Sequence, residues 1–241
     1  MKKIIFILVL SVFTHQSSYA GDNISHNNTL DFSSNVGFVT DYVFRGISQS
    51  DSNFAVQGGF DVEHNTGLYL GTWASNVDFN DADNASAEVD VYGGYGFEFK
   101  GLNVDLGAIY YAYPNARDSL NYNFYEVYAG VSVEQDKFDI GASINYTPEN
   151  FGDTGDATYV ALNTDYTIVD NLKLKTDIGY QVIDEDIEFG TDDYLHWGIG
   201  LGYHYKGFDA LLKYSQSDLD TSGSCGSSCD PKVIFGVSRN F

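Results

Sequence analysis

Apolar and polar residues alternate with a period of two along almost the whole chain after Leu30. In "NLKLKTDIGYQVI", Leu172, Leu174, Ile178, Tyr180 and Val182 share one side, and Lys173, Lys175, Asp177, Gly179 and Gln181 share the other. "YLHWGIGLGYHY" sets Leu195, Trp197, Ile199, Leu201, Tyr203 and Tyr205 against His196, three glycines and His204. Helical spacing would scatter these residues around an axis, so the pattern predicts strands. Such segments lie near 30–45, 54–64, 67–79, 86–99, 101–113, 122–135, 137–147, 156–168, 171–183, 192–205, 207–218 and 231–241. Their even number, twelve, and their length are those of an antiparallel transmembrane β-barrel.

The connections sharpen this all-β reading. Tight turns at His64-Asn65-Thr66-Gly67, Lys100-Gly101, Gln135-Asp136, Val169-Asp170-Asn171 and Lys206-Gly207 alternate with longer polar loops. The loops are "GISQSDSN", "NDADNAS", "PNARDSL", "PENFGDTG", "DEDIEFGT" and "LDTSGSCGSSCD". Short periplasmic turns and longer extracellular loops produce this order in an outer-membrane barrel, whereas Greek-key crossovers give a sandwich no reason for it.

The last strand runs to the final residue. In "KVIFGVSRNF", Val233, Phe235, Val237 and Phe241 share one face, opposite Lys232, Gly236, Ser238 and Asn240. An apolar medium must receive that face, and pairing with the first strand would leave no open edge. Phe241 then falls in an aromatic girdle at the periplasmic rim, where an insertion machinery would read the terminal strand. Arg239 breaks the pattern by parity and is expected to snorkel at the interface.

Composition narrows the setting. Lys2 and Lys3, the apolar "IIFILVLSVF" and Ser18-Tyr19-Ala20 read as a signal peptide over residues 1–20, too short to span a membrane as a helix. Residues 21–241 form the barrel domain. Removing the leader takes the net charge from −22 to −24, which excludes nucleic acid as a partner. The aromatic content, 16%, argues against disorder. The expected partners are outer-membrane lipid and small hydrophilic solutes, with no cofactor and no metal.

Asn35 to Phe79, "NVGFVTDYVFRGISQSDSNFAVQGGFDVEHNTGLYLGTWASNVDF", resembles the opening of the TorF family of porin-like proteins, earlier catalogued as the Gcw_chp conserved hypothetical proteins. The resemblance rests on Asp41-Tyr42-Val43-Phe44-Arg45-Gly46 with "SQSD", on "QGGFD" and on "GTWASNVDF". It implies an outer-membrane β-barrel with a porin role, and it carries no catalytic residues.

By parity the lumen is acidic. Asp41, Asp61, Glu63, Glu88, Asp90, Asp105, Glu126, Asp139, Asp177 and Asp209 point inward, with Arg45, Lys173, Lys175, Lys213 and Lys232 among them. Such a surface favours cations, or it is simply the polar filling of a lumen from which lipid is excluded. Inward glycines, Gly94, Gly96, Gly107, Gly130, Gly141, Gly179, Gly198, Gly200 and Gly202, are expected to leave room for a narrow pore. Arg45, four residues after Asp41, reads first as a rim ion pair holding the first loop and second as a constriction residue. Tyr42 and Phe44 fit the outer aromatic girdle; Trp73 and Trp197 read as interface or lipid-facing. Cys225 and Cys229, in "SCGSSC", are expected to form a disulfide. A lipid hydrolase would need a serine beside a histidine base, and His196 and His204 both face the lumen. The expectation is therefore a non-enzymatic porin preferring cations, with a closed structural or adhesive barrel as the alternative.

Overall fold

The computed structural model describes residues 29–80, 85–184, 193–220 and 225–241. The segment 1–20, read as a signal peptide, lies outside them. The strands in chain order are β1 (Leu30–Val39), β2 (Val43–Phe44), β3 (Ile47–Ser48), β4 (Ala55–His64), β5 (Leu68–Asn76), β6 (Ala87–Phe99) and β7 (Leu102–Ala112). They continue as β8 (Phe124–Gln135), β9 (Phe138–Thr147), β10 (Ala157–Val169), β11 (Leu172–Ile183), β12 (Tyr194–Tyr205), β13 (Phe208–Ser217) and β14 (Lys232–Asn240). All but β2 and β3 join one closed antiparallel barrel of twelve strands, in which β14 returns to β1. Closure continues beyond the strand ends: Phe241 N–H donates to Ser34 O at 2.9 Å, and Ser34 N–H to Phe241 O at 3.2 Å.

The period-two pattern sorts cleanly on this wall. Phe60, Leu70, Leu106, Val131, Ile144, Leu162, Leu212 and Phe235 point outward and are exposed, while Gln57, Glu88, Glu126, Asn145, Gln181 and Lys232 are buried inside. An aqueous solvent would not tolerate so continuous an apolar exterior, and an apolar medium would not tolerate an unclosed ladder. Arg239 is outward, as parity requires, and its guanidinium lies 5.0 Å from the Phe208 ring and 5.1 Å from the Phe241 ring. Trp197 also faces outward. Trp73 does not: it shares the inner side of β5 with Tyr69 and meets Tyr42 edge-on at 5.4 Å. Its expected place at the lipid face is therefore corrected.

Turns of two or three residues close one end of the barrel. At Lys206-Gly207 both residues have positive φ, 51° and 82°, the hairpin geometry whose twist matches the flanking strands. At the loop end, Cys225 and Cys229 are joined in a disulfide, Cα–Cα 5.8 Å. The cross-link spans a short loop outside the ladder, where closure entropy contributes roughly 2 kcal/mol. Replacing both cysteines with serine is expected to leave assembly intact, read as an unchanged heat-dependent gel shift. Loss of that shift would mean the loop supports the wall.

The largest departure from the expected strands is at the first. The pattern extends it to residue 45, but β1 ends at Val39. Thr40 still bonds to the wall, its N–H to Phe235 O at 2.9 Å. Beyond it the chain turns into the lumen.

Candidate functional site

Residues 40–54 form a small hairpin that enters the barrel. Val43 pairs with Ser48 and Phe44 with Ile47, so that Arg45 and Gly46 make the turn. Both have positive φ, 47° and 85°. This is the conformation of Lys206-Gly207, and here it points a cation inward rather than into solvent. A non-glycine residue pays about 1 kcal/mol or more for such a backbone, so Arg45 must be held by contacts of its own.

Those contacts lie across the lumen. Arg45 Nη1 and Nη2 donate to Glu126 Oε1 and Oε2 on β8 at 2.7 and 2.8 Å, and Nη1 donates to Gln181 Oε1 on β11 at 3.0 Å. The guanidinium also lies 4.0 Å from the Tyr159 ring centroid on β10 and 4.7 Å from that of Phe44. Glu126 in turn accepts from Tyr111 Oη at 3.2 Å and Asn145 Nδ2 at 3.0 Å. Arg45 is 6% exposed and Glu126 1%. Burial works against the charge of Arg45, but the adjacent Glu126 carboxylate more than offsets it and holds the guanidinium protonated. The ion pair that holds the first loop thus runs across the lumen to Glu126 rather than along the rim, because the turn sends Arg45 and Asp41 to different partners.

Asp41 stays within the hairpin. Its carboxylate accepts from Ser48 Oγ at 2.6 Å and Ser50 Oγ at 3.1 Å. Burial pushes its carboxyl above the ordinary value, and the two serine hydroxyls pull it partly back. Tyr42 donates to Glu88 Oε1 at 2.8 Å, and Phe44 meets Tyr111 edge-on at 5.9 Å. Both aromatics therefore belong to the lumen, not to an outer girdle. Lys232 Nζ holds the hairpin's return by donating to Ser52 Oγ at 2.8 Å and also reaches Ser227 O at 2.7 Å.

Above the hairpin the loops supply an aromatic cover. Phe79, Tyr113, Tyr122 and Phe151 come from three loops and pack with centroids 4.3 to 6.1 Å apart. The side chains below it divide by wall. On one side Tyr69 donates to Asp105 at 2.7 Å, Tyr92 to Asp61 at 2.5 Å, and the Tyr69 and Tyr128 hydroxyls touch. On the other, Lys173 pairs with Asp139 at 2.6 Å, Lys175 with Asp165 at 2.5 Å, and Lys213 with Asp177 at 2.6 Å. Glu63 stands apart, opposite Asp31 near the turn end.

Several inward glycines prove to be seats rather than gaps. A Cβ on Gly179 would lie 2.5 Å from both Tyr159 Oη and His196 Nε2, and Gly94 and Gly107 sit under the Tyr69 and Tyr128 phenols. Rings and lysine stems lie flat along the wall where these residues have no side chain. The expectation of open volume is corrected at Gly94, Gly107, Gly179, Gly198, Gly200 and Gly202, whereas a Cβ on Gly130 would meet nothing closer than 3.8 Å.

Parity that turns Glu126 inward also turns Tyr111, Asn145, Tyr159 and Gln181 inward. Their convergence on one guanidinium has no such signal. The turn itself has one, since Arg45-Gly46 repeats the basic-Gly dipeptide of Lys100-Gly101 and Lys206-Gly207. His196 meets Tyr159 Oη at 2.8 Å and His204 meets Asp209 at 2.8 Å. Ser217 faces His196 in register, yet its hydroxyl bonds to nothing among the described residues, so the two form no nucleophile–base pair.

Gly46 tests how tightly the tip fits. Its Cβ position lies 2.7 Å from His196 Cβ, in a backbone region that costs branched residues most. Gly46→Val is expected to unseat the hairpin, read as faster labelling of a Ser48→Cys reporter by a water-soluble maleimide. Equal labelling rates would show that the wall yields instead.

The barrel is similar to solved porins. The KdgM porin, also solved in complex with disordered oligogalacturonate, aligns at TM-score 0.59 and 12% identity over 87% of this chain and 99% of its own. The NanC porin aligns at 0.58 and 13% over 87% and 99%. An outer membrane channel from Pseudomonas putida F1 aligns at 0.51 and 9% over 91% and 100%. At these identities the likeness is one of fold. No curated protein matches the sequence. A family model described as a bacterial protein of unknown function, Gcw_chp, matches residues 24–241.

Proposed function

Because the chain belongs to the Gcw_chp family of bacterial proteins and takes the fold of outer-membrane porins, we propose that it is itself a porin of the outer membrane. Small hydrophilic solutes diffuse through a lumen narrowed at its outer end by the β2–β3 hairpin. The observation that carries this reading is that hairpin: a polar lumen is crossed near one end by a segment that side chains latch to the wall. The resemblance of Asn35 to Phe79 to the TorF family supports the same assignment. The apolar exterior takes lipid, and the turn end faces the periplasm.

Cation preference is the finer part of the proposal, and ion pairing weakens it. Asp139, Asp165, Asp177 and Glu126 each lie against a Lys or Arg, which cancels much of their field. What remains is an acidic excess that includes Glu88 and Asp90 beneath the hairpin and Glu63 and Asp105 farther along the wall. Acidic oligosaccharides such as the KdgM ligand suit this lumen poorly, since its bases are already engaged.

Planar-bilayer recording of the purified protein tests both parts. A modest reversal potential of cation sign is expected, reduced when Asp61, Glu88 and Asp90 are neutralised together. No conductance from a barrel with a heat-dependent gel shift would favour the second reading, a closed structural barrel. The buried hairpin and its aromatic cover are the observations on that side.

A further inference from the structure

We propose that the lumen contains a recognition site for small organic dications, and that the chain's own Arg45 occupies it. The inference rests on the pore reading only for its consequence, because binding does not depend on conduction. Arg45 is received as a free ligand would be. Glu126 takes the guanidinium through two parallel bonds of 2.7 and 2.8 Å, Gln181 accepts a third at 3.0 Å, and the Tyr159 ring lies 4.0 Å away. A planar fork on a carboxylate over an aromatic face selects guanidinium over a spherical ion. These groups stand on β8, β10 and β11, so the pocket belongs to the wall and outlasts any movement of the hairpin.

Charge does not balance there. Asp90 stands beside Tyr111 in the β6–β7 register, and Tyr111 Oη donates to Glu126 at 3.2 Å. Glu88 lies two residues before Asp90 on the same inner face, and Arg45 pairs with Glu126. Asp90 is 0% exposed, and neither of its carboxylate oxygens has a hydrogen-bond partner among the described residues. A buried carboxylate left so is costly, and a second positive charge beside the first would relieve it. Arg45 carries only one. A solute with a guanidinium at one end and an ammonium at the other serves both Glu126 and Asp90. Tethering gives Arg45 an effective concentration on the order of millimolar or more, which a monocation would have to exceed. The added contact at Asp90 lets a dication compete, and displacement of Arg45 frees the hairpin tip. The solute thereby loosens the barrier in its own path.

The test uses the Arg45→Ala barrel in detergent, titrated calorimetrically with agmatine, which has a cation at each end, and with ethylguanidinium, which has one. Both are expected to bind, agmatine at least about tenfold more tightly. Adding Asp90→Asn should erase that difference and leave ethylguanidinium binding in place. Adding Glu126→Gln should abolish both. If Arg45→Ala gives no heat-dependent gel shift, Arg45→Lys replaces it, since lysine lacks the fork and is displaced more easily. Failure of either probe to bind a folded variant, or equal affinity for the two, overturns the proposal. Intact binding in a barrel that never conducts overturns the pore reading alone.

Discussion

Replacing Arg45 with alanine is expected to raise single-channel conductance while leaving the barrel's resistance to unfolding nearly unchanged. Truncating one partner of a buried ion pair costs about 3–5 kcal/mol, chiefly because the other charge remains without a counterion. Here that charge is Glu126, and the cost falls on the seated hairpin alone. Among the described residues strands β2 and β3 pair with each other and with no barrel strand, the return meets Asp78 through one bridge, and side chains rather than a ladder attach the tip to the far wall. A loss of that size shifts the balance between seated and released hairpin by roughly a hundredfold or more. The wall keeps its closed set of strand pairings, so the temperature at which the folded gel band is lost should hardly move. Arg45→Lys should lie between the two, since an ammonium keeps the charge without the bidentate geometry. An Arg45→Ala barrel that conducts no better than the parent would show that the hairpin is not the barrier.

Removing Lys232–Phe241 is expected to abolish assembly outright. Strand β14 closes the barrel by pairing Phe208 to Ser215 of β13 on one side and Asn35 to Val39 of β1 on the other. Without it two edges open onto an apolar exterior, where each unsatisfied backbone group costs several kcal/mol. Over so many groups the penalty exceeds the roughly 5–15 kcal/mol by which a folded domain is usually stable. Phe241→Ala should be far milder, since it removes one ring and its contact with Arg239 but keeps the terminal hydrogen bonds. The check is the heat-dependent gel shift together with resistance to protease. A truncated chain that still shows both would mean the barrel can close through β13.

The wall of this protein was legible in its sequence because a strand's two faces meet two different media. Leu172, Leu174 and Ile178 go outward, and Lys173, Lys175 and Asp177 go inward, whatever the rest of the chain does. Turn chemistry at Lys100-Gly101 and Lys206-Gly207 set the strand count in the same local way. Alternation alone ran too far in the first strand. Asp41, Val43 and Arg45 keep the period of two, but a hairpin inside the lumen has the same period as a strand in the wall. Parity therefore cannot tell one from the other.

What the sequence determined by itself was the barrel and the inward side of most of its charges, which follow from neighbours one or two residues away; Asp165, which pairs with Lys175 inside, is absent from the expected set. Tertiary structure decided how those charges are spent. Arg45 reaches Glu126, 81 positions later in the chain, and Gln181, 136 positions later, because the closed barrel brings β8 and β11 within reach of a turn that begins beside β1. It also decided that Trp73 and Tyr42 pack together inside, and that glycines such as Gly179 lie under rings rather than beside open space. Each outcome depends on distances across the lumen, which curvature and closure set and which no local pattern contains.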